Sequence, residues 1–344
     1  MSESYYIGVD LGGTKTEILV IAVDKASSLR SGFSVLLRER VATPATEYND
    51  ILSLVVKLLG SALLCIDARK MSDVNSVNLP IPFSMGIPGT LDRLGYVKNA
   101  NTQCLNGKPL FSDLEQMLKH SFAEKITLYH IVNDANCLAL SESLLNEGAA
   151  YSSKSSFSVV LGTGVGGALV CGEKLQLGQN LIAGEWGHNI IPANMPRLSE
   201  LNRSCYCGNS DCVETYLCGA GLLLSAKELL GEKVFQEYAQ LPDIDLVSLL
   251  DSLSNSEYYP KIIDFYAEQI AACLAQVINI VDPEIIVLAG GLSNIESLNK
   301  LVEEKLQKYI FSSDCTTKVR TANMGDSSGV FGAALLPLSR YTIE

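Results

Sequence analysis

The sequence has 344 residues, of which 47% are hydrophobic and 19% charged, and its 26 basic and 38 acidic residues give a formal net charge of -12. This length suits two domains, and the hydrophobic content excludes a disordered chain. A nucleic-acid partner or an anionic membrane would require a basic face, so the acidic balance argues against both.

Predicted strands and helices alternate along the chain. In chain order they are two strands around a glycine turn, a helix, a strand, a second glycine-turn hairpin, two helices and a buried strand: 6–9, 17–23, 50–66, 83–87, 157–161, 168–171, 213–230, 262–280 and 285–288. Alternation of this kind favours an α/β fold.

No segment is typical of a membrane span or a signal peptide. The longest apolar stretch, 51–66, has apolar residues at helical spacing and is interrupted by Ser53, Lys57 and Gly60, which indicates an amphipathic helix. The N-terminus has no basic region followed by an apolar one. We therefore expect a cytoplasmic protein whose ten cysteines do not form secreted disulfides.

Two glycine-rich turns, one in each half of the chain, follow short apolar strands. The first is IGVDLGGTK at 7–15 and the second is VVLGTGVGG at 159–167. Glycine allows positive φ and brings backbone N–H groups close to an anion. Either turn alone is equally consistent with an ordinary hairpin, but the pair, with a carboxylate in the first, favours binding of a nucleotide's phosphates. Neither is a Walker A or Rossmann sequence, since neither leads directly into a helix.

Three cysteines are clustered within eight residues, at Cys205, Cys207 and Cys212. Structural zinc takes four cysteine or histidine ligands in a tetrahedron, so one ligand is missing. Of the three histidines, His188 lies seventeen residues upstream in a Gly-Glu-Trp-Gly-His segment and completes a Cys3His site. The alternative is a group of reduced free thiols. A site with four protein ligands has no open position for a substrate, so we expect this zinc to fix geometry.

These motifs together resemble the ROK family (repressors, open reading frames and sugar kinases) of the actin-like ATPase superfamily. The resemblance extends over nearly the whole chain and rests on seven segments: 10–15, 86–89, 133–136, 161–164, 184–188, 205–212 and 289–293. One departure lies in the zinc loop, where Asp211 stands at a position that is usually glycine in the family. Aspartate tolerates left-handed backbone better than most residues, so we expect the turn to form.

The resemblance implies an ATP-dependent sugar kinase with two actin-like (ribonuclease H-like) α/β domains around a cleft. The expected domains are 1–132, joined by the C-terminal segment at about 321–344, and 133–320, which carries the zinc site. Asp10 is expected to hold the Mg2+ of the bound ATP. The nucleotide contacts implied with it are Gly8, Gly12, Gly13, Thr14, Lys15, Gly162, Thr163, Gly164, Gly166, Gly290 and Gly291. A plain turn is the alternative for Gly290-Gly291.

The catalytic residue implied by the resemblance is Asp134, which would accept the proton of the sugar hydroxyl. Its position between a strand and a helix, taken alone, favours an N-cap role for Asp134, and the family resemblance favours catalysis instead. Glu185 and Glu214 lie close in sequence to zinc ligands, so the metal would fix two acceptors for sugar hydroxyls. The sugar contacts implied by the family are Gly89, Asn101, Asn133, Asp134, Glu185, His188 and Glu214, with His188 serving metal and sugar alike.

The hexose expected from local sequence is fructose, phosphorylated at its 6-hydroxyl, with side activity on mannose or glucose. Six segments are similar to the bacterial ROK fructokinases: 97–101, 105–107, 185–189, 205–208, 213–215 and 325–330. The N-acetylglucosamine kinases of the same family are the alternative. A ROK transcriptional repressor is disfavoured because the phosphate motif begins at residue 10 with no helix-turn-helix before it, and a homodimer is expected from the family alone.

Overall fold

The structure, a computed structural model, describes residues 3–24, 32–70, 79–200, 202–239 and 244–339. Twelve strands lie in these described ranges: β1 Glu3–Leu11, β2 Lys15–Asp24, β3 Ser34–Ala42, β4 Ile81–Ile87, β5 Thr90–Leu91, β6 Val97–Lys98, β7 Ile126–Asn133, β8 Ser155–Leu161, β9 Val165–Cys171, β10 Lys174–Gln176, β11 Ile285–Ala289 and β12 Lys318–Thr321.

Nine α-helices lie in the same part of the chain. They are α1 Tyr48–Lys70, α2 Leu110–Phe122, α3 Asp134–Leu144, α4 Glu214–Leu217, α5 Gly219–Ala239, α6 Leu246–Leu253, α7 Tyr258–Val281, α8 Leu298–Leu306 and α9 Ser328–Leu335. All the predicted strands and helices are present. The predicted helix at 213–230 is interrupted, because Cys218 between α4 and α5 has extended backbone.

The chain divides into two compact units. Unit 1 consists of Met1–Ser152, Leu169–Ala183 and Asn323–Glu344, and unit 2 of Ser153–Ala168 and Gly184–Ala322. This division differs from the predicted boundary after residue 132, because α3 packs against α9 and β4 of unit 1. Of the predicted domain ranges, residues 1–2, 25–31, 71–78, 201, 240–243 and 340–344 lie outside the described residues.

Unit 1 contains a five-stranded sheet of order β3-β2-β1-β4-β7. β1 pairs antiparallel with β2, which places Asp10 opposite Glu17, and pairs parallel with β4 on its other side. β2 is buried at eight consecutive positions, as expected of a strand covered on both faces. Helix α9 packs on β1 and β4, and α1 and α2 contribute buried side chains to the main core.

The second sheet has the order β10-β9-β8-β11-β12, and the boundary between the units falls within β9. All five residues of β11 are buried, and it pairs parallel with β8 and β12. In unit 2, α7 packs against α8, and α8 packs against β12. The strand ends Leu161 and Ala289 therefore lie at the same edge of this sheet, since neighbouring parallel strands end together.

Helix α1 is, among the described residues, the one helix long and apolar enough to cross a membrane by length and composition. Its buried side chains, including Ile51, Val55, Leu59 and Ile66, belong to the core of unit 1. This burial is typical of a core helix, which passes the same test of length and composition.

Candidate active site and metal centre

Asp10 lies near the end of β1, and Gly329 leaves the room that its carboxylate occupies. A Cβ on Gly329 would lie 2.5 Å from Asp10 Oδ2, and one on Gly86 would lie 3.4 Å from Oδ1. Burial raises the pKa of Asp10 to about 7; the charges of Asp134 and Glu17 add to the increase and Arg40 opposes it. Oxygen ligands with crowded negative charge suit a hard divalent cation, so Asp10 fits the predicted Mg2+.

The turn between β1 and β2 is tight and leaves its tip exposed. The Gly12 N–H donates to the Lys15 carbonyl at 2.9 Å, and the Thr43 hydroxyl donates to the Gly12 carbonyl at 2.8 Å. A Cβ on Gly12 would lie 2.7 Å from the Lys15 oxygen. Gly13, Thr14 and Lys15 are exposed at the tip, as binding of phosphates requires.

Gly8 has a different environment from the other predicted nucleotide residues. It lies within β1 against α9, and a Cβ there would overlap the Val330 carbonyl and the Ala334 backbone nitrogen. Close packing of helix on strand therefore accounts for this glycine, and its predicted nucleotide contact stays a prediction.

Asp134 occupies the first position of α3, and the N-cap is its neighbour Asn133. The Ala135 N–H donates to Asn133 Oδ1 at 2.9 Å and to Asp134 Oδ1 at 2.8 Å. Asn133 Nδ2 also donates to the Gly89 carbonyl at 3.0 Å. The capping role is therefore taken by Asn133, and Asp134 is exposed at the helix N-terminus.

Gly89 connects this helix start to the segment that carries Asn101. Its φ is +99°, and a Cβ would lie 2.6 Å from the Lys98 carbonyl and 2.8 Å from Ala100. Asn101 follows and is exposed. Unit 1 thus brings together the predicted sugar residues Gly89, Asn133 and Asp134, and Asn101 follows Ala100, which lies against Gly89.

Unit 2 brings the second glycine turn next to Gly290. The Gly162 N–H donates to the Gly164 carbonyl at 3.0 Å, and the Gly219 N–H donates to the Gly162 carbonyl at 2.9 Å. Gly290 has φ +82°, and a Cβ there would overlap the Leu161 carbonyl. Thr163 and Gly291 are exposed.

Gly166 lies in β9, after the turn, and its carbonyl accepts a hydrogen bond from the indole N–H of Trp186 at 2.9 Å. This bond gives Gly166 a structural role beside its predicted nucleotide contact.

The ligand atoms of His188, Cys205, Cys207 and Cys212 all lie within 4.8 Å of one another. Cys207 Sγ is 3.6 Å from Cys212 Sγ, and Cys205 Sγ is 3.6 Å from His188 Nδ1. Usual Zn–S and Zn–N lengths of about 2.3 and 2.0 Å place two tetrahedral ligand atoms about 3.5–3.8 Å apart. The four side chains therefore fit one zinc ion, with Nδ1 as the histidine ligand.

Asp211 holds the zinc loop together. Its backbone is left-handed, with φ +59°, and its buried Oδ1 accepts from the Asn202 N–H at 3.0 Å, the Arg203 N–H at 2.9 Å and the Tyr216 hydroxyl at 2.8 Å. Burial alone would raise the pKa of this carboxyl, but these hydrogen bonds outweigh it and lower the pKa. The sequence predicted only that aspartate would tolerate the turn, and missed that it organises the loop.

Glu185 and Glu214 lie close to His188. Burial raises the pKa of Glu185; His188 opposes the increase and the charge of Glu214 adds to it. Glu214 Oε2 accepts from the Val165 N–H at 2.9 Å, and a Cβ on Gly164 would lie 2.6 Å from it. Unit 2 thus places both glutamates beside the metal cluster and links Glu214 to the glycine turn.

Tyr206 is a further residue at this place that the sequence did not indicate. Its hydroxyl is 3.0 Å from His188 Nε2. Burial, and then the charges of Glu214 and Glu185, raise the pKa of its phenol to about 12. Its position between two metal ligands is the signal that could have identified it.

The sequence profile of the ROK family matches residues 6–340. The chain belongs to the ROK family. The family resemblance stated from the sequence is thereby confirmed, and so is the actin-like α/β fold of the ROK sugar kinases.

Relatives in the ROK family cover almost the whole chain. The N-acetyl-D-glucosamine kinase of Escherichia coli O127:H6 is 32% identical over 337 residues, which are 97% of this chain and 99% of that protein. A ROK hexokinase from Thermus thermophilus has a TM-score of 0.70 at 25% identity, covering 96% of this chain and 97% of its own. A ROK glucokinase from Streptomyces griseus, solved with glucose and AMPPNP, has a TM-score of 0.65 at 22% identity, with coverages of 97% and 99%.

Proposed function

We propose that this ROK protein transfers the γ-phosphate of ATP to the 6-hydroxyl of a free hexose. The observation that carries the proposal is the start of α3, where Asn133 takes the cap and leaves Asp134 exposed in a unit that also holds Asp10 and an open glycine turn. The named activities of the E. coli and T. thermophilus relatives, both sugar kinases, support it.

Asp134 serves as the proton acceptor in this proposal. Phosphoryl transfer depends more on positioning and charge neutralisation than on base strength, so an ordinary carboxylate suffices. Asn133, fixed by its two hydrogen bonds, orients the sugar beside it. Asp10 holds the magnesium ion, which neutralises charge on the phosphates when bound. Gly12, Gly13, Thr14 and Lys15 bind the phosphates from unit 1.

The residues of unit 2 recognise the nucleotide and the sugar. Gly162, Thr163 and Gly164 bind phosphates, and Gly290-Gly291 gives the adenosine close access to backbone. Glu185, His188 and Glu214 bind sugar hydroxyls, with zinc holding His188 in place. The zinc is structural, because its four ligands leave no open position.

The proposed hexose is fructose, because six segments of the sequence, among them 97–101 and 185–189, are similar to those of the ROK fructokinases. N-acetylglucosamine is the second candidate, because the E. coli relative carries that activity in its name at 32% identity over 97% of this chain. A cytoplasmic location, a homodimer and the lack of nucleic-acid and membrane partners remain predictions from the sequence and the family.

An ADP-release assay with the purified protein, Mg2+ and ATP tests both the proposed kinase activity and the proposed hexose. Fructose, N-acetylglucosamine, mannose and glucose are compared by kcat/KM. Highest kcat/KM on fructose supports the first candidate, and highest kcat/KM on N-acetylglucosamine replaces it with the second. No sugar-dependent ADP release from a folded, zinc-loaded protein would contradict the kinase proposal itself.

A further inference from the structure

Thr102, the residue after Asn101, carries a buried hydroxyl that has no hydrogen-bond partner within the described part of the chain. The residue is 4% exposed, and its unpaired atom is Oγ1. Thr102 is the N-cap of the short 3₁₀-helix Gln103–Leu105, yet its side chain makes no capping hydrogen bond there. A buried hydroxyl without a partner costs free energy, so the stability of the fold does not favour a hydroxyl at this place.

The segment around Thr102 is held in place by hydrogen bonds. The Ala100 N–H donates to Asn106 Oδ1 at 2.8 Å, and Asn106 Nδ2 donates to the Ala100 carbonyl at 2.9 Å. The Thr102 carbonyl accepts from the Leu105 N–H at 3.0 Å. The Thr102 hydroxyl therefore has a fixed position, next to the residues proposed to bind the sugar in unit 1.

This hydroxyl faces the tip of the turn between β1 and β2, which belongs to the same unit. A Cβ on Gly13 would lie 3.6 Å from Thr102 Oγ1, an ordinary van der Waals distance. About the room of a methyl group thus separates the glycine from the hydroxyl. Because Gly13 has no side chain, its backbone can move toward Thr102 through that space.

Gly13 also has the carbonyl that such an approach would use. The Gly12 carbonyl accepts from the Thr43 hydroxyl at 2.8 Å, and the Thr14 carbonyl accepts from the Thr43 N–H at 2.9 Å. The Lys15 carbonyl accepts from the Gly12 N–H at 2.9 Å. The Gly13 carbonyl accepts no hydrogen bond from the described residues. An unpaired donor and an unpaired acceptor therefore belong to residues that are neighbours in space.

We propose that Thr102 positions the turn for the nucleotide: when phosphates bind, its hydroxyl donates to the Gly13 carbonyl and thereby directs the Thr14 N–H at them. The Gly13 carbonyl and the Thr14 N–H belong to one planar trans peptide group and point in opposite directions. A hydrogen bond to the carbonyl therefore sets the direction of the N–H, which is the group that binds an anion. This inference rests on the proposed binding of ATP phosphates by the turn, and Thr102 acts through the turn without touching the nucleotide.

The test is Thr102→Val, which keeps the shape of the side chain and removes its hydroxyl. Calorimetry with the purified protein, Mg2+ and ATP should give a Kd about five- to tenfold weaker than that of wild type, as expected for one hydrogen bond between neutral groups. Urea unfolding without nucleotide should show a stability equal to or above that of wild type, because the hydroxyl has no partner to lose. Thr102→Ser, which retains a hydroxyl, should keep the wild-type Kd for ATP.

The matched control is Ser158→Ala in β8. Ser158 Oγ is also buried without a partner among the described residues, but it lies within a strand of unit 2 and not beside the turn. This variant should likewise keep its stability, and its Kd for ATP should equal that of wild type.

The remaining outcomes separate this inference from the function on which it rests. Wild-type ATP affinity in Thr102→Val, or weakened affinity in Thr102→Ser, refutes the role of the hydroxyl and leaves the kinase function standing. A Thr102→Val protein less stable than wild type shows that the hydroxyl already has a partner in the fold, which also refutes the inference. A folded wild-type protein that binds no ATP overturns both.

Discussion

The sequence left two roles open for Asp134, the N-cap of α3 and the proton acceptor. In the structure Asn133 takes the N-cap role, which leaves the proposed proton transfer to Asp134. The N-cap hydrogen bond belongs to Asn133, which also anchors Gly89. Asp134 is thereby positioned by the helix without being the residue that closes its N-terminus. A substitution at Asp134 should therefore report on chemistry more than on the stability of α3.

Asp134→Asn tests this separation. The amide cannot accept the sugar proton, and loss of a positioned proton acceptor lowers rates about 10²- to 10⁴-fold. We expect kcat to fall by that range, while calorimetry gives a hexose Kd within about threefold of wild type. The control is Asp245→Asn, because Asp245 caps the N-terminus of α6 by accepting from the Ser248 N–H and has no proposed role in chemistry. An Asp134→Asn enzyme with wild-type kcat would show that another group accepts the proton.

The role of Asp211 could not be predicted from its residue type and backbone conformation alone. Glycine at φ +59° avoids a strain of about 1–2 kcal/mol, and that argument alone makes aspartate the poorer choice. The structure adds three hydrogen bonds to its Oδ1, each worth about 1 kcal/mol or more to a charged acceptor. These partners come from Asn202, Arg203 and Tyr216, which the sequence does not place around the turn.

At the scale of elements, the pairing of β1 with β2, and of β2 with β3, determines the charge around Asp10. Asp10 is the register partner of Glu17, and Glu17 is buried between Arg38 and Arg40 of β3. The glycine turn was predictable from the sequence, because glycine and hydrophobic patterning are local signals. The two arginines were not, since the register that brings them to Glu17 is a tertiary property.

The raised pKa of Asp10 predicts a pH dependence. Without metal, Asp10 is mostly protonated below about pH 7, and a protonated carboxyl is a poor Mg2+ ligand. The apparent affinity for Mg2+ and ATP should therefore weaken as pH falls from 8 to 6, as measured by calorimetry.

Arg40→Gln sharpens that prediction. It removes the charge that opposes the increase in the pKa of Asp10. The midpoint of the pH dependence of Mg2+ and ATP affinity should therefore move to higher pH. The control is Arg69→Gln, because Arg69 pairs with Glu3 and is not among the charges that act on Asp10. A midpoint that moves to lower pH in Arg40→Gln would contradict the assigned cause.

The zinc loop predicts a selective defect. Cys207→Ser removes a thiolate from a four-ligand set, so zinc content should fall well below one per chain. We expect hexose KM to rise at least about tenfold, because Glu185 and Glu214 lose their fixed neighbour, while ATP affinity changes less. Cys315→Ser is the control, since Cys315 is half-buried and outside the cluster. Full zinc retention with normal hexose KM would show that the cluster is not coupled to the sugar.

At the scale of the whole molecule, the sequence predicted the α/β class, the family and the return of the C-terminal segment to the N-terminal domain. It did not predict the grouping of 133–152 and 169–183 with unit 1. Hydrophobic periodicity identifies elements but not the neighbours against which they pack. The position of α3 against α9 depends on contacts between residues nearly two hundred positions apart in the chain.

The same long-range packing gives a stability prediction. Gly8→Ala places a Cβ against the backbone of α9, which cannot move without disturbing β1, and overpacking of this kind costs about 1–3 kcal/mol. Urea unfolding should show that loss. Gly60→Ala in α1 is the matched control of opposite sign, because the nearest atom to its Cβ is 3.9 Å away and helix propensity gains about 1 kcal/mol. Equal stability of Gly8→Ala and wild type would contradict the close contact of α9 with β1.

The packing of α9 on β1 also has a consequence for the synthesis of the protein. Residues from Asn323 onward are part of unit 1, and Val330 and Ala334 lie directly against Gly8. A ribosome releases the chain from the N-terminus, so the first sheet is made long before the helix that covers it. Unit 1 therefore cannot complete its core until the chain has emerged as far as α9, and unit 2, whose residues all precede Asn323, can fold first.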